Sequence, residues 1–266
     1  MDKLLIIQLA ISFTIGGLFI ALQTLLAERV PPFWRGIIIT IPSTMAMGLL
    51  FIGIAKSPQD AASATQIIPA SEGISYLYLT VFILLSLKFH AIICLLGSVI
   101  SWILATYLLL KFPPDSYTIS TIYLIITIPI CYLLTIRLPQ DNHIKIFPLN
   151  LKNIFLRSLL GGTIIAIAVL LSKTMGNIWG GIFSTFPAVF TSTLLIYYHL
   201  QGPHVLPAIA KSLYFPGTIG FVVYAYTVFI TFPKIGALAG TLASYIVLMI
   251  FLLLWNLIFK NRKITN

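Results

Sequence analysis

The run from Leu4 to Ala27 contains no charged residue, and the chain repeats that kind of run along its whole length. Crossing the roughly 30 Å of a bilayer's hydrocarbon takes about 20 apolar residues as a helix. Nine stretches meet that requirement: Leu4–Ala27, Gly36–Ala55, Glu72–Leu87, Ala91–Leu110, Tyr117–Ile136, Asn153–Ser172, Ile178–Leu200, Val205–Phe232 and Ile235–Phe259. They are too long and too uniformly apolar for the alternating strands of a membrane β-barrel. The reading is an all-α, polytopic transmembrane helix bundle of about nine helices. The third span is the shortest. The preceding "SPQDAASATQIIPAS" is small and polar, so 57–71 reads as a re-entrant or external approach that breaks at Pro69.

Composition closes off the soluble alternatives. Hydrophobic residues make up 59% and charged residues 8%, whereas a soluble domain carries about 25% charge. Sixteen Lys and Arg against six Asp and Glu leave a net charge of +10. These charges stand in loops and at span ends, which suits topology signals and anionic lipid better than nucleic acid. Cys94 and Cys131 lie inside apolar runs and read as packing residues. The N-terminal run is too long for the apolar core of a cleavable leader.

With nine crossings, Lys3, Lys56, Lys111, Lys173 and Lys234 gather on one side. Arg29, Arg35, Lys88, Arg137, Lys145, Lys152, Arg157, Lys211, Lys260, Arg262 and Lys263 gather on the other. Basic loops stay in the cytoplasm. The expectation is therefore an inner (plasma) membrane protein with its N-terminus outside and its C-terminus cytoplasmic. The loop "RLPQDNHIKIFPLNLKNIFLR" becomes the main cytoplasmic linker.

The chain also repeats itself in detail. "FWRGIIITIPST" at 33–44 and "IWGGIFSTFPAV" at 178–189 share Trp-x-Gly-x-x-x-Thr-x-Pro. The offset of 145 residues, from Trp34 to Trp179, holds without a gap from Gly16–Pro58 to Gly161–Pro203. Gly16, Gly17, Ile20, Ala21, Leu25, Leu26, Trp34, Gly36, Ile37, Thr40, Pro42, Leu49, Leu50 and Pro58 all meet identical residues. Such self-similarity indicates internal duplication. Helix one pairs with helix six, five crossings on, so the second copy enters the bilayer upside down. The organisation expected is a first four-helix repeat at 1–112, a connecting helix and basic loop at 113–148, and a second four-helix repeat at 149–266. Inverted repeats of this kind are a transporter architecture.

The second copy resembles the GlpM family of small bacterial inner-membrane proteins. The resemblance rests on "NIWGGIFSTFPAVFTSTLLIYYHLQGP", with its Gly-x-x-x-x-Phe-Pro core, then "AIAKSLYFPGTIGFVVYAYTVF" and the last apolar helix, about Arg157–Lys260. The first copy departs from it, with Ile41 where the pattern has Phe. Members of that family are single four-helix units linked to exopolysaccharide production. The resemblance therefore implies a fold and a membrane location and supplies no catalytic residue.

The duplicated Pro42 and Pro187 each remove a donor inside a membrane helix and free the carbonyl four residues back, at Ile38 and Phe183. Thr40 and Thr185 stand close enough for their hydroxyls to help. Two readings stay open: kinked helices whose carbonyls and hydroxyls coordinate a polar solute, or a duplicated structural kink. Gly16, Gly17, Gly36, Gly161, Gly162 and Gly181 permit close helix packing, and Trp34 and Trp179 suit the membrane interface. Lys211, whose counterpart is Gln66, snorkels to the interface or faces the interior to bind an anion. Glu72 caps a helix N-terminus after the "PAS" break or forms a cation or proton site. His199 and His204 flank "LQGP" with no carboxylate or thiolate beside them, so no metal site is expected.

No nucleotide loop, dinucleotide turn or His-Glu-x-x-His stands in the sequence, and no cofactor is expected. Six acids leave little for acid–base chemistry, and their scarcity argues against a carboxylate relay. The sequence points away from an enzyme. It points toward a small-solute transporter or permease, with Thr40, Pro42, Thr185, Pro187, Gln66, Lys211 and Glu72 on the substrate path. The alternative is a non-transporting scaffold or accessory protein of envelope or polysaccharide biogenesis. The partners expected are the lipid bilayer, a small polar solute and a homodimer mate.

Overall fold

The computed structural model describes residues 3–30, 38, 41–138, 150–209 and 216–260. Its helices are α1 (Lys3–Arg29), α2 (Ser43–Ala55), α3 (Pro58–Ala64), α4 (Ile68–Ser86), α5 (Ala91–Lys111), α6 (Tyr117–Ile136), α7 (Leu151–Thr174), α8 (Asn177–Ser184), α9 (Ala188–Gln201) and α10 (Pro216–Lys260). Short 3₁₀ turns join α3 to α4 at Thr65–Ile67 and follow α9 at Pro203–Val205. There is no strand among the described residues.

Seven stretches are long and apolar enough to cross a membrane. The last of them is two crossings. Gly236 leaves the helix with φ 82° and ψ 170°, a left-handed conformation that glycine adopts without a Cβ penalty. The rings of Tyr224 and Tyr245 lie 5.1 Å apart, whereas one straight helix would separate them by about 30 Å. So 216–235 and 237–260 form an antiparallel hairpin. Large apolar side chains such as Leu18, Leu22, Ile92, Ile103, Ile125 and Leu133 are exposed on the outer helices. Apolar faces this extensive are costly in water and therefore meet lipid, and the chain is a multi-pass membrane protein.

The segment read as an approach to the third span is instead helical and central. Pro69 occupies one of the first two positions of α4, where the missing N–H costs little. Helix therefore runs from Pro58 through the 3₁₀ turn to Ser86. Of its most apolar window, 83% is buried, against 22% for α1. The other helices pack around this post.

The helices that carry matching residues, α1 and α7, lie against each other. Lys173 Nζ donates to Gln8 Oε1 near one end of the pair, and Ser158 Oγ donates to the Gly17 carbonyl at 2.7 Å further along. Position rises on α1 as it falls on α7, so the two are antiparallel. Their contacts are also reciprocal. Gly16 faces Ile165 while Gly161 faces Ile20, and Gly17 faces Ser158 while Gly162 faces Phe13. Each partner is the other's counterpart at the 145-residue offset. The glycines let the backbones approach closely, and a Cβ on Gly162 would stand 2.6 Å from the Phe13 carbonyl oxygen.

One end of the bundle is closed by a polar cluster joining Lys56 and Asp60 to Ser172 and Asn177. Lys56 Nζ stands 3.3 Å from Asp60 Oδ1 and donates to Asn177 Oδ1 at 2.5 Å and to the Ser172 carbonyl at 3.1 Å. Asn177 Nδ2 donates to Asp60 Oδ1 at 2.8 Å. Lys56, Lys173 and the Gly236 turn, which lies beside Gly53 through Ala237, therefore share this end. At the other end the Tyr198 hydroxyl donates to the Phe89 carbonyl at 3.1 Å.

Candidate functional site

The expected proline kinks are full breaks, and the backbone is the same at both. Pro42 has φ −78° and ψ 66°, and Pro187 has φ −79° and ψ 51°. Neither is helical, and each proline becomes the residue preceding a new helix. Ile41 N donates to Ile38 O at 3.2 Å, Ser43 N to Ile41 O at 2.8 Å and Ala46 N to Pro42 O at 2.8 Å. The same three bonds recur from Phe186 N to Phe183 O at 3.1 Å, Ala188 N to Phe186 O at 2.8 Å and Thr191 N to Pro187 O at 2.8 Å. Each pair matches at the 145-residue offset. The residue before a proline is pushed out of the helical region. In lipid that break survives only where neighbouring groups take up the freed backbone.

Different neighbours do so at the two breaks. At the first, Gln23 Nε2 of α1 donates to Ile38 O at 2.7 Å and to Ile41 O at 3.2 Å. At the second, two serines of α4 do the work. Ser75 Oγ donates to the Thr185 carbonyl at 2.7 Å, and Ser71 Oγ and Thr185 Oγ1 share a 2.7 Å hydrogen bond. Thr185 Oγ1 also reaches Ile182 O at 2.9 Å. Thr191 Oγ1 lies 2.7 Å from Pro187 O and 2.9 Å from the Tyr78 hydroxyl. Gln23 has Ala168 as its counterpart, so this support is not duplicated.

Length places the breaks inside the spans. The 8 residues of α8 reach about 12 Å from the Lys56 end, and the 14 of α9 about 21 Å to the opposite end. The 13 residues of α2 reach about 20 Å from the first break to Lys56. The two half-helices that start at the prolines thus run in opposite directions.

Glu72 sits one residue from Ser71. Its side chain is 1% exposed, and neither carboxylate oxygen has a hydrogen-bond partner. It caps nothing, because helix already runs through it from Pro58 and its position is interior. Ile68 and Tyr76, one turn to either side on the same face, belong to different core clusters. Ile68 packs with Tyr224, Ala225 and Val228 of the hairpin, and Tyr76 with Leu194 and Leu206. The Tyr76 hydroxyl lies against Gly217. Glu72 therefore occupies the junction between the two clusters, where α4 meets the first arm of α10.

The remaining sequence candidates separate. Gln66 is half-buried in the 3₁₀ turn. Thr40, Gly36, Trp34 and Lys211 lie outside the described residues. Gly181 meets the Ala64 carbonyl and Ile67, which brings α8 onto the end of α3. Trp179 stands inside the first turn of α8, with its ring 6.4 Å from Phe183. His199 is exposed with Nδ1 2.7 Å from Leu195 O. No three His, Cys, Asp or Glu cluster among the described residues. Gln23, Ser71, Ser75 and Thr191 were not among the sequence candidates. Their signal was present as an amide, and as serines four residues apart, inside apolar helices.

Comparison with known proteins adds a family without an activity. A family described as "Protein of unknown function (DUF3147)" matches residues 154–264, less than half of the chain. That stretch overlaps the one that resembles the GlpM family, and the match does not carry that family's name. No curated protein and no solved structure matches.

Proposed function

We propose that this protein is an inner-membrane carrier of a small polar solute, built from two inverted copies at 1–112 and 149–266 joined by α6 and a basic loop. The observation that carries the reading is the pair of in-register helix breaks, one in each copy, buried within the spans. Antiparallel α1 and α7, with their reciprocal contacts, support the inversion. Broken helices at a repeat interface give a solute backbone groups and hydroxyls to bind, while the two halves rock about it. On this reading Thr40, Pro42, Thr185, Pro187, Gln66, Lys211 and Glu72 line the path, the N-terminus is outside and the C-terminus cytoplasmic. No step of the reading calls for catalysis or a cofactor.

A second reading, a non-transporting scaffold of envelope or polysaccharide biogenesis, is favoured by the tightly packed glycine seam of α1 and α7. Cysteine accessibility separates the two. In a background with Cys94 and Cys131 changed to Ala, Thr185→Cys and Thr218→Cys should react with a membrane-impermeant thiol reagent if the carrier reading holds. Protection of both positions from both sides would remove it and leave the scaffold.

A further inference from the structure

We propose that Glu72 is a proton-binding site whose charge state controls how α4 holds the second helix break; the inference rests on the carrier reading above. A carboxylate left without partners in an apolar interior is costly if ionised. Protonated, it fits the closed packing described here. Ionised, it demands water or a ligand, and the cluster junction it occupies must open to admit one. Each form thus favours its own arrangement, which is what a two-state element requires.

The coupling runs through adjacent residues. Ser71 precedes Glu72 in α4, and Ser75 lies one turn beyond Ser71 on the neighbouring face. Together they hold Thr185 at its hydroxyl and its carbonyl. Movement of α4 toward water at Glu72 loosens both bonds and frees the carbonyl of the break. The chemical step is one proton from water added to the carboxylate, or returned to water, with no other bond formed or broken. One acid suffices, so no relay of carboxylates is needed.

A proton suits the site better than a metal ion. Among the described residues, no hydroxyl or amide lies within hydrogen-bond distance of either Glu72 oxygen, and no other His, Cys, Asp or Glu joins it. Among the described residues no cation reaches it either. On the elements packed against α4, Lys111, Lys234 and His199 are exposed at helix ends or turns, and α6 and α8 carry no charge. Among the described residues the titratable groups nearest its face are phenols: Tyr76, one turn along α4, Tyr224, in the hairpin cluster that also holds Ile68, and Tyr117 of α6, which packs on that cluster and donates to the Val222 carbonyl.

The test uses the full-length chain in proteoliposomes, with Thr185→Cys as reporter and Cys94 and Cys131 changed to Ala. Thiol labelling is followed against pH with Glu72 present, with Glu72→Gln and with Glu72→Asp. Dividing the Glu72 rate by the Glu72→Gln rate cancels the thiol's own ionisation. The ratio should rise about tenfold per pH unit until it levels, and Glu72→Asp should restore the rise. A ratio that stays flat while Thr185→Cys is labelled would overturn the proton site and leave the carrier standing. Infrared difference spectra of the Glu72 protein against Glu72→Gln supply the independent readout. They should contain one protonated-carboxyl band that exchanges in D₂O and fades at high pH. That band with no labelling at any pH would sink the carrier and, with it, the control of the break; its absence would overturn the site even if folding is confirmed by an unchanged melting curve.

Discussion

The two helix breaks share a backbone and differ in what holds it. Three hydrogen bonds recur at Pro42 and Pro187, donor for donor, across 145 residues. Yet an amide from α1 supports the first, and two serines from α4, beside a bare carboxylate, support the second. The duplicated motif therefore specifies the interruption, while residues outside it decide how firmly each one is held. The second is held by residues that flank the buried Glu72 in sequence.

The glycine seam is the symmetric control for that comparison. Gly17 and Gly162 face backbone carbonyls of each other's helix, so Gly17→Leu and Gly162→Leu should destabilise the protein alike, by about 3 kcal/mol each. Unfolding in mixed micelles measures both. A large difference between them would break the reciprocity.

The breaks should respond unequally. Gln23→Leu strips two carbonyls of one donor and should cost about 2 kcal/mol. Ser75→Ala removes a single bond to Thr185 and should cost about 1 kcal/mol. Ser71→Ala should cost less again, about 0.5 kcal/mol, because Thr185 Oγ1 keeps Ile182 O. The same micelle assay ranks the three. Equal costs at Gln23 and Ser75 would mean that the breaks are held with similar strength. Ser75→Ala should also raise thiol labelling of Thr193→Cys, just beyond the second break, while Gln23→Leu leaves it unchanged.

What the sequence made legible was the register. Identities such as Gly16 with Gly161 and Pro42 with Pro187 located both seam and breaks, because the matching residues take up matching backbone geometry. Whether proline would bend or break its helix was not legible. That outcome depends on Gln23, Ser71 and Ser75, which arrive from other helices at no fixed spacing. The capping reading of Glu72 fails for a related reason. "PAS" looks like an interruption, but Pro69 falls where a helix tolerates it, and the 3₁₀ turn at Thr65–Ile67 carries the chain on from α3. The extra helix α6 was placed by its apolar run alone, whereas its packing on α4, where Ala70 N donates to Ser120 Oγ at 2.9 Å, has no repeat to announce it.

Disulfide trapping between α1 and α7 measures their relative direction. With Cys94 and Cys131 replaced, Gln8→Cys paired with Lys173→Cys should cross-link readily in membranes. Gln8→Cys paired with Asn153→Cys, at its counterpart position, should not. Efficient trapping of the second pair and none of the first would set α1 and α7 parallel and contradict the antiparallel seam on which the proposed inversion rests.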